Sequence, residues 1–291
     1  GFYWPSVELA VPSNCNNKIK SSEGYALARS ADAIGVTLGV LIGTIGTYFE
    51  FTRIIYLIDV ICMVNIINIL TIKVKELRKD EHKKKQVREV KRYMETNELS
   101  DFKWIFDLIP LLLLTLFVTG IMNLLQSVLP LDLANGGIIR PPLKEETVAT
   151  LLTFKLVLIA IFQWPVGYVI RKKNSSFKFR LCLISFLIGF ILLSISNFLV
   201  NGYLLILLAF IPITIALCIF LPSASDAIIK SSPVRYQGSA IALYSQCFGI
   251  SALTIPWIAG KLIDYYDTVF QVWFVISLLC MFLITIYKRM K

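Results

Sequence analysis

The sequence has few charged residues for its length and only one histidine. Charged residues make up 16% of its 291 positions and hydrophobic residues 56%, and the mean hydropathy is +0.71. Soluble domains carry about 25% charged residues, so this composition excludes an ordinary soluble domain. The histidine, His82, lies in a run of charged residues. This position argues against a Ser-His-Asp triad or a histidine metal site.

Motifs for nucleotide and metal binding are also lacking. No Gly-x-x-x-x-Gly-Lys-[Ser/Thr] loop is present, which argues against a self-contained ATP-driven pump. The six cysteines are scattered singly, without a CxxC pair, so they give no sign of a metal site. We therefore expect a protein that is not an enzyme and that carries no cofactor and no metal.

Long apolar runs recur along the chain, and each is long enough to cross about 30 Å of hydrocarbon as a helix. They predict an all-α polytopic membrane protein with eight whole spans, preceded by the tail of an earlier span in Gly1–Val11. The whole spans are placed at Tyr25–Phe49, Arg53–Ile72, Trp104–Leu129, Thr147–Ile170, Leu181–Val200, Tyr203–Ile228, Ser239–Leu262 and Val269–Tyr287.

The net charge of +10 is distributed unevenly between the two predicted sides of the membrane. If the loop after residue 11 is cytoplasmic, 23 of the 29 lysines and arginines fall on the cytoplasmic side and 4 on the other. This asymmetry orients the chain with its C-terminus in the cytoplasm. The basic charge is thereby explained by membrane topology, and we expect no nucleic-acid partner.

One sequence pattern occurs twice, 214 residues apart. Gly24–Gly35 and Gly238–Gly249 each open an apolar run, and each follows a Pro-Ser pair with an acidic residue, Glu8 or Asp226. The repeat predicts two parallel bundles of six spans. We expect 1–72 to be the remainder of the first bundle, 73–103 a cytoplasmic linker and 104–291 the second bundle. By symmetry, three more spans would precede Gly1, in about 110 residues.

With this repeat, the chain resembles the major facilitator superfamily over its whole length. Gly167-x-x-x-Arg171-Lys172 is similar to the family's loop between helices eight and nine, although Arg171 stands where the family has aspartate. The resemblance implies two six-helix bundles, of which this chain would contain the tail of helix four and helices five to twelve.

A second resemblance lies in the candidate fifth helix. Gly35, Gly39 and Gly43 are similar to the glycines of the family's antiporter motif, but Val40 replaces its proline. A proline would kink the helix, so its loss weakens the inference of an antiporter. Small residues at this spacing also let helices pack closely in lipid, and that alternative stays open.

Asp32 lies about 12 Å into the first whole span, at 1.5 Å per residue. A carboxylate at this depth needs a partner or a water-filled cavity. Three interpretations remain: a structural pair with Arg29, a pair with Lys155 that closes the two bundles, or a group that titrates or touches substrate. Gln246 occupies the corresponding position of the second repeat.

Other polar residues are candidates by their depth or their helix. Lys155 lies well inside its span, too deep for an easy reach to the membrane surface, and Asn123 and Gln126 lie on the candidate seventh helix, which lines the cavity in the resembled family. We list these three, with Asp32 and Gln246, as substrate or coupling candidates.

Glu8 and Asp226 occupy matching positions at the cytoplasmic ends of two predicted spans. We expect Asp226 to pair with the basic cluster at 171–173, which includes Lys172, and Glu8 to pair with a loop ahead of Gly1. We expect such pairs to act as a gating or structural latch rather than to bind substrate.

The function expected from the resemblance is secondary transport of an unidentified small molecule, driven by protons and directed outward across the plasma membrane by a monomer in the lipid bilayer. Uptake of a nutrient or metabolite by the same fold is the first alternative. A transporter-like protein that only senses or scaffolds is the second.

Overall fold

The computed structural model describes residues 8–11, 21–48, 53, 56–69, 71 and 103–289. These residues are helical apart from short connections, and six of their helices are long and apolar enough to cross a membrane. The predicted linker, 73–103, lies outside the described residues except for its last position. The all-α fold predicted from the apolar runs is confirmed.

Seven long helices make up most of the described chain. They are α1 (Ser21–Tyr48), α2 (Lys103–Asn135), α3 (Glu145–Ile170), α4 (Ser175–Ser196), α5 (Tyr203–Ser231), α6 (Gln237–Tyr266) and α7 (Phe270–Arg289). A 3-10 turn, Val234–Tyr236, joins α5 to α6. A shorter apolar helix, Tyr56–Ile69, lies between α1 and α2 in the sequence.

The chain divides into two compact units. The first contains Gly1–Thr37 and Trp104–Lys291, and therefore the beginning of α1 and nearly all of α2–α7. The second contains Leu38–Lys103, of which the end of α1 and the helix Tyr56–Ile69 are the main described parts. Every residue of Tyr56–Ile69 is exposed, and an apolar surface of this kind suits contact with lipid.

The core of the first unit lies where α4 packs against α5 and α7 and where α3 packs against α5. Aromatic rings fill its centre. Phe186 and Phe190 of α4 stack with centroids 5.9 Å apart, and Phe190 stacks on Trp273 of α7 at 5.8 Å. Since such pairs add about 0.5–1.5 kcal/mol each beyond the area that they bury, this cluster fixes α7 against α4.

Helix α1 packs antiparallel against α3, with a close approach at Gly167. A Cβ on Gly167 would lie only 2.6 Å from the Cβ of Ala26. Eleven residues further along α1, Thr37 donates through Oγ1 to the carbonyl of Leu156, eleven residues back along α3, at 3.4 Å. Residue numbers rise on one helix as they fall on the other, so the start of α1 lies beside the end of α3.

Six of the eight predicted spans correspond to helices long and apolar enough to cross a membrane, and the spans predicted at 53–72 and 269–287 are observed, within the described residues, as the shorter apolar helix Tyr56–Ile69 and as α7, of which Phe270–Thr285 is apolar. The span predicted at 104–129 continues as α2 to Asn135. The extension includes Asp132, whose side chain is fully buried and paired with Arg140. The helix therefore continues past the predicted end of the span.

A second difference concerns the fourth helix. The span predicted at 181–200 is observed as α4, Ser175–Ser196. Its first turns contain Lys178, whose side chain is buried, and Phe179, which belongs to the core. Hydropathy alone placed the start too late, because a lysine with a packed side chain counts as polar in the sequence.

Replacing Gly167 with alanine should weaken the contact between α1 and α3. The new Cβ would lie 2.6 Å from the Cβ of Ala26, and overpacking of this kind costs about 1–3 kcal/mol. We expect Gly167→Ala to lower the Tm of the detergent-solubilised protein, measured by tryptophan fluorescence. Adding Ala26→Gly should restore the Tm, since it removes the opposing methyl group.

Gly249→Ala provides the matched control. Gly249 lies inside α6, and a Cβ there would meet no atom within 4 Å among the described residues outside the helix's own backbone. Alanine is favoured over glycine inside a helix by about 1 kcal/mol, so this variant should keep or raise the Tm. Equal Tm values for the two alanine variants would contradict the close approach of α1 to α3.

Candidate functional site

A buried hydrogen-bond network centres on Glu8, which lies in the helical residues 8–11. Its Oε1 accepts hydrogen bonds from Arg29 Nη2 at 2.7 Å and from Ser225 Oγ at 3.0 Å. The Tyr25 hydroxyl donates to the backbone carbonyl of Glu8 at 2.7 Å, and the hydroxyl oxygens of Ser225 and Tyr244 lie 3.5 Å apart. The network joins residues 8–11 and α1, which precede the predicted linker, to α5 and α6, which follow it.

Burial makes the partners of Glu8 important. Its side chain is 3% exposed, and its second oxygen, Oε2, has no hydrogen-bond partner in the part of the chain that the structure describes. A buried ionised group depends on its partners, so Arg29 and Ser225 hold this carboxylate in place. Within the described residues the cation that pairs with Glu8 is Arg29 of α1, and the pair expected with a loop ahead of Gly1 stays a prediction.

A second contact between the same two parts of the chain lies at the start of α1. Oε1 of Glu23 accepts a hydrogen bond from Arg171 Nη1 at 2.9 Å, and the guanidinium also lies 3.9 Å from the ring centroid of Tyr168. Arg171 therefore pairs with an acidic residue of α1. Sequence analysis did not single out Glu23, because an acidic residue at the start of a helix is common.

Asp226 pairs within its own helix. Oδ2 of Asp226 lies 2.6 Å from Lys230 Nζ, one turn further along α5. The pair expected with the cluster at 171–173 does not form among the described residues, since its arginine is bonded to α1 and its two lysines make no ion pair there. Asp226 also interacts electrostatically with the buried Lys178 of α4, so it lies between two lysines.

Neither ion pair expected of Asp32 forms among the described residues. The guanidinium of Arg29 is bonded to Glu8, and Asp32 keeps only a longer-range electrostatic interaction with it. At 100° per residue, Asp32 lies roughly 130° around α1 from the side that packs on α3, so it points away from Lys155. Its side chain is exposed. The interpretation as a titrating or substrate-contacting group stays a prediction.

The three glycines of the candidate packing motif lie on the Asp32 side of α1. A Cβ at Gly35, Gly39 or Gly43 would meet no atom within 4 Å in the described residues, apart from the helix's own backbone. Their role in close helix packing stays a prediction. The glycine that does allow close packing of α1 is Gly167, on α3.

Lys155 is buried between α3 and α2. Its side chain is 6% exposed, and Nζ donates to the backbone carbonyl of Leu125 at 3.0 Å. The same helix contacts α5 through Gln163, whose Nε2 donates to the carbonyl of Cys218 at 3.4 Å. Lys155 therefore lies on the interior side of α3.

The three remaining substrate candidates divide into one bonded and two exposed side chains. Asn123 donates through Nδ2 to Ser251 Oγ at 3.0 Å and so ties α2 to α6. Gln126 of α2 and Gln246 of α6 are exposed. The structure does not gather these amides around Lys155 or Asp32, and their contact with a substrate stays a prediction.

The most completely buried ion pair was not predicted. Asp132 and Arg140 are 0% and 2% exposed, with 2.9 Å between Oδ1 and Nη2. Trp273 Nε1 donates to Asp132 Oδ2 at 3.0 Å, and Arg140 Nη1 donates to Ser196 Oγ at 2.8 Å. This cluster ties α2, the α2–α3 connection, α4 and α7 together. Neither Asp132 nor Arg140 was predicted as a site residue; an aspartate just beyond an apolar run, followed by an arginine, was the available signal.

These features define a polytopic α-helical membrane protein whose charged contacts tie its helices together at both ends. The sequence profile of the family described as Major Facilitator Superfamily matches residues 1–256 and, in an overlapping second match, residues 143–290. The chain belongs to this family. Its members are membrane transporters, so this protein is a membrane transporter and contacts the lipid bilayer. No individual curated protein matches the chain significantly.

Asp132→Asn should destabilise the protein strongly. Removing the carboxylate leaves Arg140 buried without a counter-charge, and breaking a buried pair in this way costs about 3–5 kcal/mol. We expect a clear fall in Tm and in the amount of folded protein recovered from membranes. Asp264→Asn, at an exposed position on α6, should change neither.

A double variant distinguishes the loss of the ion pair from the cost of leaving one charge buried without a partner. Asp132→Asn combined with Arg140→Met removes both charges, and buried pairs replaced by uncharged residues often lose little stability. The double variant should therefore be more stable than Asp132→Asn alone. If Asp132→Asn behaves like Asp264→Asn, the buried pair does not anchor the fold.

Proposed function

We propose that the protein exports a small molecule across the plasma membrane, driven by inward proton flow. Its membership of a transporter family supports transport in general. In this family's plan the site lies near mid-membrane between the two halves, and one half rocks against the other to expose it to each side in turn. The protein would act as a monomer, with its C-terminus in the cytoplasm as the charge distribution predicts.

The position of Asp32 within its span is the observation that supports proton coupling. A carboxylate within a span needs a counter-charge or a water-filled cavity, and no lysine or arginine lies at ion-pair distance among the described residues. The guanidinium three residues earlier is already engaged by Glu8. Asp32 is therefore available to bind and release a proton, or to meet a charged substrate, during the transport cycle.

The contacts of Glu8 and of Glu23 support the alternating-access part of the proposal. Both join segments that precede the predicted linker to segments that follow it, and Glu23 lies where α1 begins and α3 ends. The distribution of basic residues predicts that this end of α3 faces the cytoplasm. We expect these contacts to hold the cytoplasmic side shut and to break when the site opens inward.

The role of Asp32 can be tested by separating coupling from exchange. In proteoliposomes with an imposed pH gradient, Asp32→Asn should abolish proton-driven accumulation but leave exchange of labelled for unlabelled substrate intact, because exchange needs no net proton movement. Asp107→Asn, exposed near the start of α2, is the control and should keep both activities. Full coupling in Asp32→Asn would remove this residue from the mechanism.

Direction is tested in energised cells that express the protein. Export lowers the cellular content of the transported compound, and uptake raises it. A raised content would replace the proposal with the rival function, uptake of a nutrient or metabolite. Movement of no compound in either direction would leave only a sensing or scaffolding role.

The pair of Glu23 with Arg171 gives a charge-reversal test of the latch. Glu23→Arg places two guanidinium groups together, so it should reduce the initial transport rate severalfold. The exchange Glu23→Arg with Arg171→Glu should recover the rate, because it restores an opposite-charge pair. Lys144→Glu changes an exposed residue at the other end of α3 and should have no effect. A double variant as slow as Glu23→Arg would contradict the latch.

A further inference from the structure

Lys155 lies close to the middle of its membrane-spanning helix. It is ten residues from the start of α3 and fifteen from its end, which corresponds to about 15 Å and 22 Å along the axis. Buried neighbours at helical spacing on α3 are the apolar Val148, Leu151 and Leu158. Sites of transporters built from two repeated bundles lie near this depth.

The ammonium group of Lys155 is only partly satisfied by the residues that the structure describes. Its one polar contact is the backbone carbonyl of Leu125 at 3.0 Å, and the ion pairs among these residues do not include it. An ammonium has three N–H donors, so two of them remain for another acceptor. A charge at this depth is costly without a partner and is a marker of a functional site.

A structural role is the competing explanation. Pro130 of α2 has no N–H and cannot bond the carbonyl of Gln126, so the backbone of α2 is interrupted next to the carbonyl that Lys155 reaches. One neutral donor would suffice for that task. This structural role does not explain why the group is a charged ammonium. Lys155 lies at mid-membrane, and no carboxylate of the described residues lies at ion-pair distance from it.

We propose that Lys155 binds a negatively charged group of the transported molecule, so that the substrate is an organic anion with a carboxylate or similar acidic oxygen atoms. This assignment rests on the proposed transport function and narrows its substrate class. It also agrees with the direction proposed above, because a membrane potential that is negative inside drives anions outward.

The test uses matched acid and amide pairs, which share their shape and differ in charge. The probes are benzoate and benzamide, 2-naphthoate and 2-naphthamide, and indole-3-acetate and indole-3-acetamide, added to the purified full-length protein in detergent. We expect acids but not amides to raise the Tm of the wild-type protein and of Lys155→Arg. Lys155→Met should abolish this shift, since it keeps the length of the side chain and loses the charge.

Two controls keep the result interpretable. Lys261→Met, at an exposed position on α6, should respond to acids as the wild type does. Without ligand, Lys155→Met should be as stable as the wild type, because a buried charge replaced by an apolar group of similar size often costs nothing. If Lys155→Met does not fold, Lys155→Gln takes its place. An acid response that survives the loss of the charge, or equal shifts with acids and amides, or no shift with any acid, overturns the proposal.

Flux measurements separate this proposal from the proposed transport function. The same compounds are loaded into proteoliposomes that contain the full-length protein, and efflux is followed by mass spectrometry. Efflux of amides but not acids, faster than from liposomes without the protein, would uphold transport and overturn the anion assignment. If the acid-specific Tm shift requires Lys155 but no compound moves, the anion site stands and the transport function fails.

Discussion

The hydrocarbon interior of a bilayer offers no hydrogen-bonding partner, so every polar or charged side chain within a span must find its partner in the protein or in trapped water. The described residues meet this constraint mainly with two clusters of charge. Asp132 and Arg140 pair near the end of α2, and Glu8 and Arg29 pair near the start of α1. Asp32 and Lys155, nearer the middle of their spans, lack a counter-charge at ion-pair distance among these residues. The proposed chemistry therefore rests on these two.

The charged contacts differ in a way that matches different roles. The Asp132–Arg140 pair is almost completely buried and joins helices that all follow the predicted linker, so we expect breaking it to cost about 3–5 kcal/mol. The side chains of Arg171 and Glu23 are 25% and 20% exposed, and they join parts of the chain on either side of the linker. Water competes for such a pair, whose net contribution is about 0–1 kcal/mol. It can open and close with little loss.

The helices could be predicted because long apolar runs carry a strong signal of their own. The partners of individual side chains could not be predicted, because they depend on which faces of the helices pack together. Arg29 lies three residues from Asp32 and was a natural partner for it, yet the helical residues 8–11 bring Glu8 closer. Likewise, Gly167 was noted for a loop motif, whereas its lack of a side chain lets Ala26 of α1 approach. The pair of Arg140 with Asp132 was not predicted, because Asp132 lies beyond the predicted end of its span.

The central claim is that the start of α1 and the end of α3 separate and rejoin during transport. The most direct measurement is the distance between spin labels at two exposed positions near that end, Leu27 on α1 and Val169 on α3, in a protein whose Cys15 and exposed Cys62 have been replaced. Double electron–electron resonance should show a short distance under one condition and a second, longer distance when the pH gradient or the substrate is changed. A single distance distribution that stays the same under all these conditions would contradict the account.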